Sequence, residues 1–269
     1  MGIKYKINKD FFKTWSPAMS YVLGFITADG SLEDASYLRG KYLRICSSDI
    51  EILVKIKNAM NSEHKIITIK PKEFAIGGKT YVSKEKYMLR IGSHEIYNDL
   101  IKLGITPHKS KTIECPHVPL ELLASFLRGY LDGDGCINFY NKKQRLAVIF
   151  TSGSKLFLEQ LSKTISYILN TRGQKVFRSK RAFQIKYSTK EAVPLLKYIY
   201  SDTEDELYLE RKYKVFLNFM LLCPKWQDYD GTTIQPSHYL QRYGVVPKRL
   251  RELSAKQLFT GSNPVHAFN

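Results

Sequence analysis

Cysteine and histidine are scarce in this sequence, and their placement suits neither metal caging nor redox work. The four cysteines, Cys46, Cys115, Cys136 and Cys223, form no C-x-x-C pair, which argues against a zinc site and against a disulfide framework. The six histidines show no H-E-x-x-H spacing, and His108 and His117 read as loop or surface residues. Acidic residues are also few: 25 Asp plus Glu face 42 Lys plus Arg, a formal net charge of +17 that calls for a polyanionic partner. No apolar run approaches the length of a spanning helix and no signal-peptide pattern opens the chain, so a membrane partner is not expected. The expectation is a soluble intracellular protein, of the cytoplasm, the nucleoid or an organelle matrix.

Against these absences stands an internal repeat. Tyr21-Val22-Leu23-Gly24-Phe25-Ile26-Thr27-Ala28-Asp29-Gly30 reads as an apolar helix ending at an acid and a glycine, and the pattern returns at Phe126-Leu127-Arg128-Gly129-Tyr130-Leu131-Asp132-Gly133-Asp134-Gly135. Gly24 with Ala28, and Gly129 with Gly133, are spaced to share one helical face and to permit close helix approach. If the two copies pack together, Asp29 and Asp134 emerge side by side at two helix C-termini, each capped by a glycine able to turn the chain. Two carboxylates at the negative ends of two helix dipoles repel one another, and a hard divalent cation relieves that repulsion. Oxygen donors suit Mg²⁺, which takes its remaining ligands from water and phosphate, so metal-assisted phosphodiester hydrolysis is the natural chemistry.

These two stretches resemble the motif of the LAGLIDADG homing endonucleases, in the form that carries both copies on one chain. Motif 1 departs from the pattern at Thr27, where motif 2 has Asp132. The resemblance implies that the last acid before the glycine, Asp29 or Asp134, is the metal ligand, with the carbonyls of Ala28 and Gly133 beside it. It implies Mg²⁺ as cofactor, with Mn²⁺ substituting and Ca²⁺ binding without supporting cleavage. It also implies a basic residue from each half near the scissile phosphate, carried here onto Lys109 and Lys212, with Lys111 and Arg211 as near alternatives.

The chain order predicts four segments: a basic arm over 1–15, halves over 16–115 and 116–222, and an extension over 223–269. The arm sets Lys4, Lys6, Lys9 and Lys13 among aromatics, to touch phosphate or simply to solubilise. Ser16-Pro17 opens the first motif helix, and Ser47-Ser48-Asp49 caps a helix over 50–61. Strands are expected over 36–46, 65–69 and 87–91, with a long lysine-rich loop between the last two, and a helix follows over 94–103. The second half repeats the order: a motif helix over 121–131, a hairpin around 141–144, a helix over 154–170, a hairpin of 174–177 with 182–187, and helices near 190–200 and 205–221. A further helix is expected from Pro247. The fold class is therefore α+β, with two pseudo-symmetric α-β-β-α-β-β-α halves whose antiparallel sheets form a saddle.

Helices cover one sheet face in this scheme and the open face meets DNA, where a twisted ribbon enters the major groove. The candidates on strands are Tyr42, Arg44, Arg90, Arg145, Gln184 and Lys186, and those at loop tips are Lys142, Lys143, Arg178, Lys180 and Arg181. The expected protein is a monomeric, site-specific, Mg²⁺-dependent endonuclease of double-stranded DNA, encoded in an intron or another mobile element. Two alternatives stay open on the same scaffold: a maturase that binds intron RNA, and a DNA-binding regulator without catalysis. The chain ends in Asn269, but it opens on Met1 with no splicing nucleophile, so a free-standing protein is expected rather than a self-splicing one.

Overall fold

The computed structural model describes residues 5–35, 40–201, 203 and 207–229. Its centre is a pair of helices that are apolar on nearly every side, as befits helices buried all round. Helix α1 (Pro17–Asp29) starts where Ser16 Oγ accepts a hydrogen bond from the Met19 amide and Pro17 takes the first turn. Helix α4 (Leu123–Asp134) follows a 3₁₀ turn at Leu120–Leu122, so it begins and ends later than the expected 121–131. The two pack directly on one another, with the backbone of each helix filling the space beside the glycines of the other. A Cβ on Gly24 would lie 2.1 Å from the Phe126 carbonyl oxygen, and one on Gly129 would lie 2.0 Å from that of Tyr21.

Each motif helix feeds straight into a strand. Gly30 and Gly135 are extended (φ −87° and −100°) rather than left-handed, which corrects the expectation of a glycine-turned cap. Glycine is needed there for room, because a Cβ would come within 2.7 Å of Ile26 atoms at Gly30 and 2.5 Å of Leu131 atoms at Gly135. Strand β1 (Gly30–Ala35) pairs with β2 (Gly40–Ser47), so residues 40–46 of the strand expected over 36–46 belong to the second arm of a hairpin that begins at the motif itself, and 36–39 lie outside the described residues.

The first half continues through α2 (Ile50–Ala59), β3 (Ile66–Ile69), β4 (Glu73–Ile76), β5 (Lys79–Val82), β6 (Lys86–Gly92) and α3 (His94–Lys102). The second half has β7 (Gly135–Tyr140), β8 (Arg145–Ser152), α5 (Lys155–Leu169), β9 (Phe177–Ser179), β10 (Ala182–Ser188), α6 (Thr189–Ile199) and α7 (Glu210–Leu222). The sheet orders β1-β2-β6-β3 and β7-β8-β10-β9 are equivalent once β4 and β5 are set aside as an insertion. That insertion corrects the lysine-rich loop: residues 70–85 carry their own two-stranded hairpin, turned by Gly77 and Gly78 at φ +57° and +76°. Helices α2 and α3 pack on the first sheet and α5 and α6 on the second, so each sheet keeps one face open.

Alternation along β2 buries Leu43 and Ile45, and along β10 it buries Ile185 and Tyr187, which fixes Tyr42, Arg44, Gln184 and Lys186 on the open faces. The segment expected as a basic arm does not hang free over its described part. Phe11 and Phe12 are buried, Asn8 donates its amide to the Met60 carbonyl, and Glu63 donates its own to that of Lys6. The helix expected from Pro247 lies outside the described residues. Among the described residues no helix is long and apolar enough to cross a membrane.

Candidate active site and nucleic-acid interface

The α1–α4 crossing sets the ends of both helices against each other. A Cβ on Gly133 would overlap the Ala28 side chain at 2.4 Å and lie 3.6 Å from Asp29 Oδ2, so the two terminal acids share one small region. Asp29 is exposed and Asp134 half-buried, so both reach solvent although protein surrounds them on most sides. That surrounding raises both carboxyls. Burial is the larger cause at Asp134, the charge of Asp29 adds to it, and the group is pushed up to about 6 while Lys109 and Lys212 pull it back. Burial likewise raises Asp29, against the same two lysines and Lys86.

Lys109 and Lys212 are both buried, and both reach the C-terminal turns of the motif helices. Lys109 sits in a 3₁₀ turn (Lys109–Lys111) entered through His108, whose backbone is left-handed at φ +57°. Its Nζ donates to the Thr27 carbonyl at 2.9 Å, and burial pushes its ammonium down to about 8 against the opposing pull of Asp134 and Asp29. Lys212 comes from the first turn of α7, and its Nζ donates to the carbonyls of Leu131 (2.6 Å), Asp132 (2.8 Å) and Gly135 (2.7 Å). Burial lowers it too, with the Asp132 charge opposing. Of the near alternatives, Lys111 is exposed, and Arg211 turns away to hold the Asp49 carboxylate. The cap expected at Asp49 is thereby corrected, since its side chain makes no capping bond to α2.

The carboxylate at Asp132 has a structural setting. It is 3% exposed, and Oδ2 accepts from Tyr21 Oη and from the Leu209 amide, both at 2.8 Å. Thr27, its counterpart, donates to the Leu23 carbonyl of its own helix. Arg128, 0% exposed, ties α4 to the carbonyls of Leu207 (2.8 Å) and Ile199 (3.1 Å). The motif spacing gives no warning of the partners of Asp132 and Arg128, because they arrive from distant sequence.

A divalent cation fits the donor set at the seam. Among the described residues no three His, Cys, Asp or Glu side chains cluster as a closed cage would require. Two carboxylates whose mutual charge is unfavourable suit a hard cation that keeps water and phosphate ligands.

The expected DNA-facing residues fall into two groups. Tyr42, Arg44 and Arg90 gather on the open face of the first sheet around Glu33, a carboxylate that strand alternation over 36–46 leaves out of view. On the second sheet, Arg145 is exposed at the start of β8, Lys142 and Lys143 are exposed in the β7–β8 turn, and Lys186 is exposed on β10. Gln184 donates to Thr151 Oγ1 across the same face. Arg178 is corrected from loop tip to strand: it lies within β9, opposite Phe183, and only Lys180 and Arg181 form the exposed two-residue turn.

Residues 121–190, which contain α4 and run through β10, match the LAGLIDADG-like domain family. A stretch of 151 residues, 54% of this chain, is 30% identical to the probable translation initiation factor IF-2 of Methanocaldococcus jannaschii, and it spans 11% of that protein's length. Among solved structures, the homing endonuclease I-WcaI bound to its DNA recognition sequence superposes with a TM-score of 0.52 at 14% identity, covering 77% of this chain and 91% of that one. I-DmoI in complex with DNA and Ca gives a TM-score of 0.48 at 17% identity, over 72% and 92% of the two chains. A LAGLIDADG-like domain is thus matched over residues 121–190, and the superposed 77% of the chain shares the mixed α+β fold of I-WcaI.

Proposed function

We propose that this chain, with a LAGLIDADG-like domain in its second half, is a site-specific double-strand DNA endonuclease that hydrolyses one phosphodiester in each strand. The observation that carries the reading is the seam, where two acids from two helix ends meet with a buried lysine from each half directed at the same turns. Asp29 and Asp134 each offer carboxylate oxygens there, with the Ala28 and Gly133 carbonyls beside them, and one acid serves each strand. Bound Mg²⁺ would supply a water acidified for in-line attack and charge neutralisation at the leaving oxygen.

The lysines divide the remaining work. Lys109 uses one N–H on Thr27, which leaves two to meet the charge that develops on a phosphate. With its ammonium near 8, it also holds a proton that can be released near neutral pH. Lys212 commits all three N–H groups to carbonyls and so stiffens the turn that carries Asp134. The open sheet faces, on a chain of net charge +17, give the electrostatic footprint for a long duplex.

The test is selection of cleaved duplexes from a pool of random sequences in Mg²⁺, with Asp29→Asn and Asp134→Asn run alongside. A discrete cleaved site, lost or reduced to a single-strand nick in both variants while binding persists, is the expected result. Complete double-strand cleavage by Asp29→Asn would overturn the assignment of the acids. Wild-type protein that binds duplex but never cuts, in Mg²⁺ or Mn²⁺, would replace this reading with a DNA-binding regulator or an RNA-binding maturase.

A further inference from the structure

The open face of the first sheet holds a charged cluster that cleavage chemistry does not use. Arg44 and Arg90 stand directly opposite one another in the β2–β6 register, an arrangement that is unfavourable for two like charges. Glu33 on β1 resolves it. Its carboxylate accepts from Arg90 Nε at 3.4 Å and Nη2 at 3.2 Å, and lies 3.9 Å from Arg44 Nη1. The Arg90 guanidinium also stacks on the Tyr42 ring, 3.5 Å from its centroid. That ring is held in turn: it lies across Gly40 and Gly92, where a Cβ would meet it at 2.4 Å and 3.1 Å. Arg90 is therefore fixed on two sides before any partner arrives.

The geometry decides which edge of Arg90 remains. A guanidinium has five N–H groups in a rigid fork, and the side edge made by Nε and Nη2 is already given to Glu33. The end edge, Nη1 with the outer hydrogen of Nη2, has no partner among the described residues. Two parallel donors in that spacing match the O6 and N7 acceptors of guanine in the major groove. We propose that Glu33 is a specificity-determining positioning residue, which holds Arg90 against Tyr42 so that its end edge reads a guanine in bound duplex DNA. The inference rests on the DNA-binding reading above. It also explains an acid on a face otherwise suited to phosphate: Glu33 lowers the general attraction of Arg44 and Arg90 for any backbone and converts one of them into a base reader.

The experiment compares wild type with Glu33→Ala and Glu33→Gln for binding to a pool of random duplexes in Ca²⁺, so that the readout is base preference and not cleavage. Both variants should lose discrimination for guanine at one position by about tenfold. They should also bind unrelated duplexes more tightly and with a steeper salt dependence, because two arginines are released toward phosphate. Variants that shift affinity for all sequences equally, with every base preference unchanged, overturn the role of Glu33. No saturable binding by the wild type overturns the DNA-binding reading instead, and the proposal with it.

Discussion

Thr27 and Asp132 occupy the same place in the two copies of one motif, yet they build different helix ends. In the second half Asp132 gathers Tyr21 Oη and the Leu209 amide, and Lys212 closes over three carbonyls of the same turn. In the first half Thr27 turns back on its own helix, and Lys109 holds a single carbonyl. One lysine is fully engaged and the other keeps donors in reserve. Symmetry of the backbone therefore does not carry symmetry of the side chains, and under the proposed cleavage the two strands of a duplex would meet unequal chemistry.

The largest expected effect erases the comparison altogether. Gly129→Val puts a branched side chain where the Tyr21 carbonyl oxygen already sits 2.0 Å from a single Cβ, and in both halves the seam depends on that approach. Loss of more than about 4 kcal/mol is expected, seen as failure to accumulate folded protein or as collapse of the denaturation midpoint. A folded variant of near-native stability would show that the helices can separate without harm.

The comparison sharpens when each lysine is removed in turn. Lys212→Met strands three carbonyls and leaves Asp132 without its nearest cation, so it should cost about 3–5 kcal/mol in chemical denaturation. Lys109→Met strands one carbonyl, and its larger effect should be on strand cleavage. A pH profile separates the roles: the ammonium of Lys109 sits near 8, so wild-type cleavage should fall above that pH, and Lys109→Arg should move this limb upward. An unmoved alkaline limb in Lys109→Arg would remove Lys109 from the reaction.

How much of this was legible in the chain follows from where each partner lies in sequence. Ser16-Pro17 announces α1, and alternation announces β2, β6, β8 and β10, because those signals are local. Asp29-Gly30 looks like a turn but is a strand entry, since the same dipeptide serves whenever a Cβ would strike the preceding helix. The β4–β5 hairpin carries its Gly77-Gly78 signal openly, but its arms are short and exposed, so no buried alternation marks them. Glu33, the Lys212 carbonyl cage and the partners of Arg128 depend on contacts between residues far apart in sequence, and no periodicity encodes them.

The acids give a smaller and pH-dependent effect. The Asp134 carboxyl is raised to about 6 in the folded state from an ordinary value of 3.8, so the folded protein binds more protons than the unfolded one between those values. Stability without metal should fall as pH rises through that window and stay low above it. Asp134→Asn should recover about 1–3 kcal/mol at pH 7. Ca²⁺ should raise the melting temperature of the wild type at pH 7.5, lose that effect below about pH 6, and leave Asp134→Asn unmoved. A Ca²⁺ shift that persists in the variant would place the cation elsewhere.

The smallest effect tests whether the unequal halves are also tied together. Arg211, next to Lys212, donates Nε and Nη2 to the Asp49 carboxylate at 3.0–3.2 Å, linking the start of α2 in one half to α7 in the other. Burial pushes the Asp49 carboxyl up, but Arg211 more than offsets this and holds it below the usual range. A lowered carboxyl contributes stability above its ordinary value and loses it as pH falls through the folded-state value, so the link belongs to neutral pH. Arg211 is more than half exposed, so a double-mutant cycle of Arg211→Ala with Asp49→Ala should give a coupling of about 0.2–1 kcal/mol, shrinking in high salt. Within that range the bond orients α7, and with it the cage over Asp132, at little expense to the fold. A coupling of zero would leave the second half to set its own lysine without help from the first.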